Sequence, residues 1–172
     1  MSSIAASVQN VLPSIERHGN FIRDSWDRLS SVPGGKSIFS RLVGIAAPYT
    51  GSMGARVVEL RRGHARVELA DRRKVRNHLD CIHAIALANL AELTGNVAVA
   101  YTLPDDARFI VAGMSIEYLQ KARGTIVGTA ECPLFASSEK AEHEVPVSMK
   151  NRKGEEVARA TLRTLVGPKK KR

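Results

Sequence analysis

Three polar residues interrupt the apolar stretch Ile82–Leu93 of this chain: His83 near its start, Asn89 in its middle and Glu92 near its end. A carboxylate held among apolar neighbours ionises less readily than one at a surface, which suits a general base near neutral pH. A helix starting near His83 exposes N–H groups with no intrahelical acceptor, and their partial positive charge suits a developing oxyanion. Plainer roles exist for each residue. A histidine at a helix start can simply cap backbone, and Asn77 in the preceding loop is an ordinary turn residue. Asn89 can touch a ligand or bond across a dimer. Cys81 has no His or Asp at informative spacing and reads as a core-edge residue rather than a nucleophile.

The element that positions these groups is a helix over about Cys81 to Gly95, with Asp80 as its N-cap and Gly95 as its stop. It is apolar nearly all round, so most of its sides must be buried. Upstream, the period is two. Arg56–Leu60 and Ala65–Leu69 flank Arg61-Arg62-Gly63-His64, which predicts a hairpin with Ala65, Val67 and Leu69 on one face. Downstream lie four strand-like runs: Phe109–Leu119, Thr125–Cys132, Glu144–Lys150 and Val157–Val166. Arg123-Gly124 is expected to turn the first pair, and Asn151-Arg152-Lys153-Gly154 the second. Residues 1–50 read as a helical extension with stripes at Ile15, Ile22, Trp26 and Leu29 and at Ile38, Phe39, Leu42, Val43 and Ala46, broken at Pro33-Gly34-Gly35. The main domain is expected over 51–168, followed by a basic tail at 169–172. No βαβ alternation, Walker loop, G-x-G-x-x-G or G-x-S-x-G is present.

Composition narrows the function. Hydrophobic residues make up 44% and charged residues 25% of 172 residues, enough for one domain with a real core. Two cysteines form no disulfide framework, and no Cys/His cluster has metal-ligand spacing, so neither metal nor cofactor is expected. The first residues do not read as a secretory signal, and no apolar run approaches a membrane span, so a cytoplasmic protein is expected. The net charge of +9 allows nucleic acid, anionic lipid or a phosphorylated small molecule as partner. Without aromatic interleaving, a zinc motif or a basic recognition helix, nucleic acid is set aside.

Several motifs resemble the hot-dog fold thioesterases, in particular an uncharacterised branch of them. They are Asn77-His78-Leu79, the helix start His83-Ala84-Ile85-Ala86-Leu87, and the run Ile116-Glu117-Tyr118-Leu119-Gln120-Lys121-Ala122-Arg123-Gly124. The likeness spans residues 36 to 166. It implies an α+β hot-dog fold, an antiparallel sheet wrapped round one long central helix. In thioesterases of this type the helix begins His-Gly-Gly, with a carboxylate nine residues after the His. Glu92 stands there, Asn77 fills the polar position six before the His, and Asn96 the small polar position four after the carboxylate. Ala84-Ile85 replaces Gly-Gly, which keeps the N–H at residue 84 and narrows the space beside a ligand.

The resemblance implies an acyl-CoA thioesterase. The N–H of Ala84, helped by His83, would hold the oxyanion, Glu92 would activate water or attack directly, and Asn77 would orient water or thioester. Lys121 and Arg123, with the Arg72–Arg76 group, would meet the phosphates of coenzyme A. Nine residues of helix is roughly 13–14 Å of rise and puts His83 and Glu92 on opposite faces. They can share one thioester only if Glu92 comes from a second copy, so a homodimer with two interface sites is expected, or a dimer of dimers. A sensor or carrier that binds acyl thioesters without turnover is the competing function. A third is an interaction protein docking through the basic tail.

Overall fold

The computed structural model describes residues 19–170, so Ile15 and the last two residues of the basic tail lie outside the described residues. Helices α1 (Phe21–Leu29), α2 (Gly35–Ala46) and α3 (Pro48–Ser52) precede strands β1 (Arg56–Arg61) and β2 (His64–Leu69). A single 3-10 turn at Arg73–Val75 leads to the core helix α4 (Ala84–Thr102). Strands β3 (Ala107–Tyr118), β4 (Ile126–Glu131), β5 (Ala141–Lys150) and β6 (Glu156–Pro168) follow. All six strands form one antiparallel sheet in the order β1-β2-β4-β5-β6-β3, with α4 against one face. This is the sheet-and-helix arrangement that the resemblance implies.

The two short hairpins form as their turn residues predict, β1–β2 around Gly63 and β5–β6 around Gly154, both glycines having positive φ. The third does not. β3 pairs with β6 and β4 with β2 and β5, so Arg123-Gly124 is no hairpin turn. Residues 119–125 instead cross the start of α4, where the Ala122 carbonyl accepts from Ile82 N–H (2.8 Å) and Gly124 N–H donates to Asp71 Oδ2 (2.8 Å).

α4 differs from expectation at both ends. Asp80 does not cap it: that residue has φ +51, and its carboxylate faces Arg76 at 2.8 Å. The N-cap is His83, whose Nδ1 accepts from Ile85 N–H at 3.0 Å. Nor does Gly95 stop the helix. A Cβ there would come within 2.7 Å of a Leu162 methyl carbon, so the glycine permits close packing on β6 while the helix runs on to Thr102. Ala91 and Ala98, fully buried, allow the same close approach. At 19 residues α4 is therefore long and apolar enough to cross a membrane by length and composition, contrary to the expectation that no run is. More than half of it is buried in the fold, which identifies it as the core helix.

The N-terminal helices close one side of this core. Trp26 and Phe39, one on each stripe, are buried and meet edge to face at 5.1 Å. Asn20 caps α1 through Oδ1 to Arg23 N–H, and its Nδ2 donates to the Ala100 and Leu103 carbonyls at the far end of α4. Lys169, the first residue of the tail, is anchored by its Nζ to the carbonyls of Gly19 and Asp105, each at 2.8 Å.

Candidate functional site

The ends of β2, β3 and β5 and the starts of β4 and β6 gather at one end of the sheet, together with the start of α4. Two loops hold that helix start. His83 N–H donates to the Val75 carbonyl at 2.8 Å, and Asp71 joins the loops by accepting from Arg76 Nε at 2.6 Å and from Gly124 N–H. Burial pushes the Asp71 carboxyl up, but the Arg76 guanidinium, the Gly124 N–H and Arg123 outweigh it and hold it below the usual carboxylate range.

At N1, Ala84 has an N–H that helix geometry cannot supply with an acceptor, whereas His83 satisfies the next one. The Ala84 carbonyl accepts from the Tyr118 hydroxyl at 3.1 Å, fixing the end of β3 to the helix start. Burial raises the Tyr118 phenol above its ordinary value. Sequence reasoning named Tyr118 only within the Ile116–Gly124 run that carries the resemblance.

The other candidates fall in different places. Asn77 sits in the loop with Oδ1 accepting from the N–H groups of Leu79 (2.9 Å) and Cys81 (3.4 Å), so its amide nitrogen is the end left for a ligand. Arg123 spends its donors on the Asp80 and Leu79 carbonyls at 3.3 and 3.4 Å. Lys121 is exposed at the same sheet end. Glu92 is not held among apolar neighbours within this chain but exposed, about 180° round the helix from His83. It belongs to a stripe with Ile85, Asn89 and Asn96. Asn96 is half-buried, and both Asn96 Oδ1 and Asn89 Oδ1 are buried with no donor among the described residues.

Beside the helix start opens a cleft of about 200 Å³. α3 and its C-cap supply Tyr49 and Met53, the 3-10 turn and the residue after it Lys74, Val75 and Arg76, and α4 with its N-cap His83 and Asn89. Sequence reasoning missed this cleft because one of its walls comes from the α3 segment, which lies well upstream of the other two and carries no motif of its own.

The family model described as a domain of unknown function, DUF4442, matches residues 35–166. The crystal structure of a structural-genomics target aligns with a TM-score of 0.75 at 33% identity, covering 86% of this chain and 99% of its own. A protein of unknown function from Pseudomonas aeruginosa, described as a probable thioesterase, aligns at 0.70 with 22% identity over 80% of this chain and 97% of its own. A thioesterase family protein from Silicibacter pomeroyi aligns at 0.64 with 16% identity over 75% and 96%. Among curated protein sequences none matches. The chain belongs to the DUF4442 family of domains of unknown function and has the hot-dog fold.

Proposed function

We propose that this protein hydrolyses an acyl-CoA thioester at a site shared between two copies of the chain. The observation that carries the reading is the open start of α4. The Ala84 N–H there is preorganised by His83 and Tyr118 and flanked by cationic loops. A thioester carbonyl placed on that N–H would be polarised towards its oxyanion. Glu92 of the second copy takes a proton from water as the water oxygen bonds to the thioester carbon. The tetrahedral oxyanion then collapses, the C–S bond breaks, and the thiolate leaves and takes up a proton. Named thioesterases among the structural relatives support the reading at the level of fold.

One observation favours binding without turnover. Glu92, the base of the hydrolase reading, is exposed within this chain rather than held among apolar neighbours, and His83 Nδ1 is engaged with the Ile85 N–H, so a single copy holds no group set to take the proton.

Thiol release from a panel of acyl-CoAs separates the two readings. Turnover by the wild type, cut about 10²–10⁴-fold in Glu92→Ala, is expected of the hydrolase. Tight binding with no release by either protein supports the binder. Ala84→Pro tests the oxyanion donor directly. Proline is tolerated at N1, and His83 has the extended backbone (φ −63, ψ 141) that a following proline prefers, so the substitution removes the N–H and leaves the helix. Refolding Ala84→Pro together with Glu92→Ala, each inactive alone, should restore about one quarter of wild-type turnover. Half of randomly assorted dimers are mixed, and each has one intact site. No recovery would place both groups in a single chain's site, which their positions on α4 forbid, and would defeat the shared-site reading.

A further inference from the structure

We infer that the cleft between α3 and the start of α4 is an anion site, and that it holds a carboxylate at the far end of a short acyl chain. The inference rests on the thioesterase reading for the thioester itself and adds the class of acid, a dicarboxylic one joined through a single carboxyl. Lys74, Arg76 and His83 line the cleft, and among the described residues no acidic side chain does. The Arg76 guanidinium faces Asp71 and Asp80, at 2.6 and 2.8 Å, so its charge is already answered. Lys74 differs. Its ammonium donates to the Ser52 carbonyl at 3.0 Å and meets no carboxylate among the described residues, which leaves further hydrogens for a ligand. A second cation stands close by. A Cβ on Gly54, whose φ is +67, would lie 3.1 Å from Lys74 Nζ and 3.7 Å from Arg72 Nη1, so the two cations converge on that glycine. Arg72 likewise pairs with no carboxylate among the described residues. Like charges drawn together without a counter-charge repel, and an anion between them relieves this. His83 adds a neutral donor, because its Nδ1 accepts from the Ile85 N–H and its ring proton is therefore on Nε2.

The position of the cleft decides which anion it meets. His83 and Ile85, on either side of Ala84, both line it, and the His83 N–H is bonded to the carbonyl of Val75, another lining residue, at 2.8 Å. A thioester carbonyl resting on the Ala84 N–H therefore has the cleft beside it, within reach of a short acyl chain. The phosphates of coenzyme A are separated from the sulfur by the whole pantetheine arm and fall beyond a site this near the carbonyl. At about 200 Å³ the cleft also suits a few methylenes ending in a carboxylate better than a nucleotide. Lys74 and Arg72 thus serve the acyl group rather than the coenzyme phosphates that the resemblance implies for them. α3 would then be part of the specificity pocket, since it carries the Ser52 carbonyl that aims the Lys74 ammonium.

The test is binding of non-hydrolysable thioether analogues, measured by calorimetry so that turnover is not needed. Succinyl, glutaryl and adipyl analogues are compared with butyryl, pentanoyl and hexanoyl ones of the same carbon count, each on coenzyme A and on phosphate-free pantetheine. On both carriers the wild type should bind at least one carboxylated chain about ten-fold or more tighter than its plain counterpart, as a charge-assisted hydrogen bond provides. Lys74→Met, which keeps a long side chain at an exposed position and removes its charge, should erase most of that preference. Equal or weaker binding of the carboxylated chains by the wild type, which needs no variant, overturns the inference. So does a preference that survives Lys74→Met undiminished, because the carboxylate is then held elsewhere. A preference absent on pantetheine, or a Lys74→Met protein that weakens plain and carboxylated coenzyme A analogues alike, also overturns it, since Lys74 would then meet the phosphates. Absence of thiol release with the preference intact would defeat hydrolysis alone and leave this assignment standing.

Discussion

Asp71 uses both carboxylate oxygens to join two loops that are distant in sequence, one on Arg76 and the other on the Gly124 N–H. Those loops carry the start of α4, so the residue positions the proposed oxyanion donor without touching a ligand. Asp71→Asn should lower the melting midpoint by about 2–4 °C at neutral pH, as expected for a modest loss in a domain of this size. Because the folded carboxyl titrates below its ordinary range, its contribution is full above about pH 5 and fades as the pH falls below about 4. It is gone once the folded group itself takes a proton, so the wild type and Asp71→Asn should converge in stability in acid. Urea melts from pH 3 to 7 read this directly, and a gap that stays constant with pH would refute the assignment. None of this was legible in the sequence. Asp71 looked like one polar loop residue among several, and its partner Gly124 looked like a hairpin turn. His83 and Ala84 were legible, because a polar residue opening an apolar run marks a helix start on local grounds alone. Asn89 was legible as an interruption, but its place on the cleft depends on α3.

Elements whose partners are adjacent in sequence could be read, and those joined by long crossings could not. The β1–β2 and β5–β6 hairpins announce themselves by a two-residue period and a glycine turn. β3 and β4 show the same signals, yet each pairs elsewhere, because the segment between them crosses the start of α4 before the chain continues. Gly95 illustrates the same ambiguity. A glycine after an apolar helical run resembles a stop, but here it is buried against Leu162 in mid-helix. Gly95→Ala would gain roughly 1 kcal/mol of helix propensity and lose more by overpacking, typically about 1–3 kcal/mol. Leu162 is fully buried and cannot swing aside, so the net effect should be destabilising. A lower urea midpoint with an unchanged slope is the expected result. A stabilised Gly95→Ala protein would mean that Leu162 has room to move.

At the scale of the whole molecule, β3 is left at the edge of the sheet, twelve residues long with one side unpaired. A register shift between Val111 and Gly113 sets which way its side chains point. Met114 lies opposite Leu162 and Tyr118 opposite Ala158, so both face the side on which α4 packs. They are nonetheless 37% and 46% exposed, because α4 covers the edge strand only in part. Ile85 and Glu92 are exposed on α4. An exposed edge with apolar residues beside it invites pairing. A second copy related by a two-fold axis would cover it and, in the same act, carry its own Glu92 towards this chain's Ala84. Met114→Arg places a charge in that contact and leaves the core of the single chain untouched. Sedimentation should then report a monomer with an unchanged circular dichroism spectrum, and thiol release should fall about as far as in Glu92→Ala, 10²-fold or more. The link between the two measurements is what matters, since a site complete within one chain would survive dissociation. A monomeric Met114→Arg protein with wild-type turnover would separate assembly from chemistry and remove Glu92 of the second copy from the reaction.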